Sequence, residues 1–174
     1  MKTQQSGAAL IVSLIMLLLL TMIGIFAMRT GVMEEKMAAN QIDRDIAFKA
    51  AEVALRAGEG TVLNWVNLPI CSDTGAPGCW TKQSMDPVGT DATPWWLQRN
   101  AAWWTANGTA ATQPQGAVSP PRYVIEEIIK PGNSNGNKPR DQQQGGAKFY
   151  RVTARGVGGS VQSVVLLQSV VRMR

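Results

Sequence analysis

A chain of 174 residues has room for one modest domain and an appendage. Its formal charge of +5 comes without a basic run, so it gives little reason to expect nucleic-acid binding. The absence of histidine removes the commonest general base and the commonest metal ligand; with only two cysteines, a zinc site is excluded as well. No phosphate-binding loop, nucleophile-base pair or catalytic carboxylate constellation is recognisable. The sequence therefore reads as a non-enzyme with no cofactor.

The chain opens on a short polar leader, residues 1–7, that ends at Gly7, and an oily run follows at once. Ala8 to Met28 carries no charge. At roughly 20 residues it is long enough to cross a bilayer as a helix. A cleavable secretory signal would have a shorter apolar core followed by a small-x-small site, and "GIFAMRTG" offers no convincing one. This segment, 8–28, is expected to stay with the protein. Lys2 and Arg29 flank it on both sides and leave its orientation open.

The helix is expected to continue as an amphipathic segment over 29–58. Met33, Met37, Ile46, Ala50, Ala54 and Ala57 recur near the helical period. Asp45 precedes Lys49, and Glu52 precedes Arg56, by one helical turn in the acid-first order that supports a helix. Gly58 and Gly60 supply a stop. Gly24 and Gly31 are weak helix formers where the rod can bend or unwind. The small residues of the second half suit close packing, either with other helices or with the protein's own sheet.

The remainder, 59–174, is expected to be a globular head. From Glu59 to Pro121 turn formers dominate, with one short helix around "WWLQRNAAWW". Cys71 and Cys79 bracket a turn-rich loop and read as a small disulfide of an oxidising compartment, the alternative being two free thiols. That pairing would place the head outside the cytoplasm. Trp95, Trp96, Trp103 and Trp104 form either a docking patch, if exposed, or the anchor of a loop-rich head, if buried. "RYVIEEIIK", "KFYRVTARG" and "SVQSVVLLQSVVRMR" read as strands, the last two joined by a "GVGGS" hairpin in which glycine supplies positive φ. "KPGNSNGNKPRDQQQGG" spaces Asn133, Asn135 and Asn137 like calcium donors, but it has one carboxylate, Asp141, and reads as a surface loop. "NGT" at Asn107 matches a glycosylation sequon in form only.

Taken in order, "SGAALIVSLIMLLLLTMIGIFAMRT", "EEKMAANQIDRDIAF" and "AAEVALRAGE" resemble the type IV pilins and secretion pseudopilins, and among them the PilX-type minor pilins. The resemblance implies an α+β pilin-like fold: a long N-terminal helix packed on a C-terminal antiparallel sheet. It implies cleavage by prepilin peptidase between Gly7 and Ala8, N-methylation of Ala8, and an inner-membrane subunit with a periplasmic head that passes into the pilus fibre. Most pilins carry glutamate at the fifth residue after the cut, where it is thought to receive a neighbour's terminal amine; Val12 stands there. Lacking this carboxylate suits a subunit that begins or ends a fibre, although apolar packing alone also accommodates valine. The implied partners are other minor pilins, the major pilin, a tip-associated adhesin, prepilin peptidase and the inner-membrane assembly platform. The implied role is priming of pilus assembly at or near the tip, in support of twitching motility and attachment. The alternatives are a type II secretion pseudopilin, or a head that itself binds DNA or a surface.

Overall fold

The computed structural model describes residues 6–67, 69–76, 78–85, 93–128 and 148–173. One long helix, α1 (Ser6–Leu63), opens the fold. It is followed by β1 (Trp80–Thr81), α2 (Lys82–Met85), α3 (Trp95–Gln98), α4 (Ala101–Asn107), β2 (Thr109–Ala110), β3 (Arg122–Ile128), β4 (Lys148–Val157) and β5 (Val164–Met173). The chain divides into two units, Met1–Ile42 and Asp43–Arg174. Residues 1–5 of the leader, the calcium-like loop with Asn133, Asn135, Asn137 and Asp141, and residues 86–92 lie outside the described residues.

In the first unit every helical residue from Ala8 onward is exposed, as an apolar helix with no partner must be. The helix runs unbroken through Gly24 and Gly31. Its hydroxyls are satisfied by its own backbone: Ser13 donates to the Leu10 carbonyl at 2.9 Å and Thr21 to that of Leu18 at 2.8 Å. A polar group closed in this way costs little in hydrocarbon.

The second unit has three layers, with the sheet in the middle. β3, β4 and β5 are antiparallel neighbours, as the strand pattern predicts; β1 adds to the far side of β3 in parallel, and β2 pairs there in the antiparallel sense. One face of the sheet presents Tyr123, Ile125, Tyr150, Val152 and Ala154 to α1, which answers with Ala54 and Val62. The buried stripe of α1 is alanine at 47, 50, 51 and 54, all with no exposed surface. Small side chains let helix and strand backbones come close. A Cβ on Gly156 of β4 would stand 2.2 Å from the Ala47 carbonyl oxygen and 2.3 Å from the Ala51 nitrogen. On the other face Val124 and Leu166 meet Met85, Trp95 and Trp104.

Two expectations about glycine are overturned here. The helix does not stop at Gly58 and Gly60 but continues to Leu63, so the expected boundary between 29–58 and 59–174 falls a turn too early. Gly58 is a packing residue, because a Cβ there would stand 2.5 Å from Val152 Cγ1 and 2.9 Å from Tyr123 Cδ2. The β4–β5 connection does not use glycine for positive φ either; the positive-φ glycines among the described residues are Gly75, Gly78 and Gly116. Gly158 is required for space, since its Cβ would sit 2.5 Å from the backbone and side-chain oxygens of Asp43.

Candidate functional site

Four features carry the chemistry of this chain: the apolar helix start, the disulfide loop, the tryptophan layer and the Asp43 clasp. At the helix start Gly7 and Ala8 lie within the first turn of α1, and Val12 follows with 56% of its surface exposed. No side chain in this stretch offers a charge. What the segment can do is insert into lipid or pack against other apolar helices; it is long and apolar enough to cross a membrane.

Cys71 and Cys79 are joined in a disulfide with a Cα–Cα distance of 4.7 Å. The ring closes because Gly75 and Gly78 adopt positive φ and because the Ser72 N–H donates to the Cys79 carbonyl at 3.1 Å. The Thr81 N–H then donates to the Ser72 carbonyl, which aligns β1 beside β3. Cys79 is wholly buried in the α1-side core. Beside it in that core Trp65 meets Tyr150 edge-on at 5.1 Å. Burial first, and the Glu127 carboxylate second, push the Tyr150 phenol up to about 12.

The tryptophans do not form one helix face. Asn100 breaks the expected helix in two, because its side chain accepts the Trp103 N–H at 2.9 Å and caps α4. Trp95 and Trp104 are 1% exposed and cannot serve as a docking patch. Trp96 and Trp103 are half-buried around them, and Trp80 joins Trp103 at 5.9 Å. A buried carboxylate fixes the layer: the Trp95 indole N–H donates to Glu126 Oε2 at 2.9 Å, and Arg151 Nη1 meets Glu126 Oε1 at 3.0 Å. The Arg151 guanidinium also lies 5.2 Å from the Trp96 ring centroid, and that of Arg99 lies 5.1 Å from Trp103. Glu126, Arg151 and Trp80 were missed by sequence reasoning. The available signal was the acid in "RYVIEEI", an inward position of an apolar strand that demands a buried partner. Asn107 donates its side-chain amide to the Trp103 carbonyl at 3.0 Å, so this sequon asparagine serves the end of α4.

Asp43 clasps the β4–β5 turn. Its carboxylate accepts the Ser160 N–H at 3.0 Å and the Gly159 N–H. The hydrogen bond from the Ser160 side chain is the main cause that holds the Asp43 carboxyl below the usual range; burial, next in size, opposes it, and the Ser160 and Gly159 backbone donors and the Ser163 side chain add to the lowering.

Two family models match this chain in series. Residues 6–56 match the PilX N-terminal family, and residues 56–173 match the C-terminal model of the type IV pilus assembly protein PilX. The chain belongs to the PilX family. No curated protein and no solved structure matches it. Membership makes this PilX-family chain a minor pilin of type IV pilus assembly, in a family of structural pilus components. The junction of the two matches falls at residue 56, inside α1. The apolar helix of the PilX N-terminal region fits membrane anchoring and incorporation into a pilus.

Proposed function

We propose that this PilX-family chain primes pilus assembly and sits at or near the pilus tip, with other minor pilins and a tip-associated adhesin, in support of twitching motility and attachment. Prepilin peptidase cuts between Gly7 and Ala8 and methylates the new amine of Ala8. The subunit is then held in the inner membrane by 8–28, with its head in the periplasm, until the assembly platform extracts it beside the major pilin. The observation that carries this reading is Val12. It stands in an uncharged apolar helix at the position where the resemblance implies a glutamate. An amine in hydrocarbon needs a partner, and an unpaired charge there is costly. This subunit can offer its own amine to a neighbour's carboxylate, yet it cannot receive one, so it serves best where only one side is occupied. The buried disulfide supports a head that folds in an oxidising compartment.

The first test is processing. The mature N-terminus should be Ala8, and Gly7→Val should accumulate as an uncut membrane-bound precursor; normal maturation of that variant sinks the reading. The second test is position. Labelled subunits should appear at fibre ends, and Val12→Glu should spread the label along the shaft. Uniform labelling of wild-type fibres would defeat the tip placement while leaving pilin processing intact.

A further inference from the structure

The two edges of the sheet are finished differently. Beyond β3 the edge is divided between two short strands: β2 pairs Thr109 and Ala110 with Tyr123 and Arg122, and β1 pairs Trp80 and Thr81 with Glu126 and Glu127. Short edge strands are a usual guard against pairing with another chain. β5 has no such guard. It pairs with β4 from Val164 to Met173 without a bulge, and among the described residues no strand lies on its other side.

The backbone groups left open on that edge follow from the ladder. The Gly158 N–H donates to the Ser163 carbonyl at 2.8 Å, which makes these two a hydrogen-bonded pair at the head of the hairpin. Such pairs alternate with non-bonded ones along an antiparallel ladder. Val165, Leu167, Ser169, Val171 and Met173 therefore turn their N–H and C=O toward β4. Val164, Leu166, Gln168, Val170 and Arg172 turn theirs outward. The strand contains no proline or lysine, its one charge is Arg172 near the end, and Val170 is 58% exposed.

Charge says what suits the edge. The side chains of the outward-turned residues share the tryptophan face of the sheet with Arg155, which pairs across from Leu166, and with Arg122, which pairs across from Arg155. The acid on that face of β3, Glu126, already binds Arg151. Arg155 has no ion pair among the described residues, and Arg172, next to the last residue of the strand, lies over the Phe149 ring at 5.9 Å. We infer that β5 accepts an extended segment of another protein chain, added as the next strand of the sheet, with carboxylate side chains on the tryptophan side. A second copy of this chain fits less well as the occupant, because its β5 has no acidic residue to set against Arg155 or Arg172. The inference rests on the sheet alone and stands apart from the tip placement.

The test uses the full chain in detergent micelles and a labelled soluble peptide of the length of β5, with threonine and valine alternating and glutamate at two positions on one face. Anisotropy should report saturable binding at least about tenfold tighter than that of the same peptide with lysine in place of glutamate. Val170→Pro deletes one outward N–H while sparing the ladder to β4, and should weaken binding about tenfold or more; Val170→Thr should not. If Val170→Pro fails to fold, as circular dichroism would report, Val170→Glu keeps every backbone donor and should weaken binding by setting a carboxylate against those of the peptide. Absence of saturable binding, equal binding of the lysine peptide, or indifference to these substitutions overturns the inference. So does a concentration-dependent dimer of the full chain that is lost in Val170→Pro, which would assign the edge to a second copy.

Discussion

The two faces of the sheet are closed by opposite means. On the α1 face Ala47, Ala50, Ala51, Gly58 and Gly156 keep side chains short so that backbones touch. On the other face Trp95 and Trp104, with Met85, fill the space with some of the largest buried side chains in the protein, held by the Glu126 carboxylate. The difference predicts how each face fails. The tight face is vulnerable to added atoms, the bulky face to removed ones.

The largest effect is expected on the bulky face. Trp104→Ala should cost about 3–5 kcal/mol in chemical denaturation of the full chain, because it empties a large fully buried volume. Arg151→Met should follow at about 3 kcal/mol, since it takes the guanidinium partner from a carboxylate that is 2% exposed. Fluorescence of the clustered tryptophans would report whether the loss comes from that layer. A small cost for both would show that the tryptophans decorate the sheet rather than anchor it.

On the tight face Gly156→Ala adds only a methyl group, yet that group would meet helix backbone that cannot rotate away. A loss of about 1–3 kcal/mol is expected in the same denaturation experiment. Gly60→Ala is the matched control, because nothing lies within 4 Å of its added Cβ; it should be neutral or slightly stabilising. If the two variants behaved alike, close approach would not be the reason for glycine at 156.

How much of this was legible in the sequence follows from the same contrast. The α1 helix, β3, β4 and β5 were readable because apolar runs and β-branched stretches carry their own period. The disulfide was readable because turn formers lie between the cysteines. Gly58, Gly156 and Gly158 were not, because a glycine chosen for space and a glycine chosen for φ are the same letter, and only the facing residue tells them apart. The split between α3 and α4 was written in Asn100 as a capping residue, but "WWLQRNAAWW" reads as one short helix when that cap is passed over. The two-residue strands β1 and β2 are too short to show any alternation.

The smallest expected effect lies at the Asp43 clasp, where solvent is close at hand. The Asp43 carboxyl is held below its ordinary value of 3.8 in the folded chain, so its contribution is fully present above that value. It fades as pH falls through the lower folded-state value. Asp43→Asn should flatten that portion of the acid limb in thermal melts recorded against pH, and leave the midpoint near neutrality only slightly reduced. An unchanged acid limb would show that the turn is held by its own Gly158–Ser163 hydrogen bond without the clasp.

The buried disulfide also has a consequence for timing. Cys79 has no exposed surface and sits in the same core as Tyr150 and Val62. An oxidant can reach its thiol only while that core is open, and in the folded chain a reductant meets the bond only at Cys71, which keeps 9% of its surface. Oxidation therefore belongs before the sheet closes on α1, and closure afterwards shields the Cys79 side of the bond.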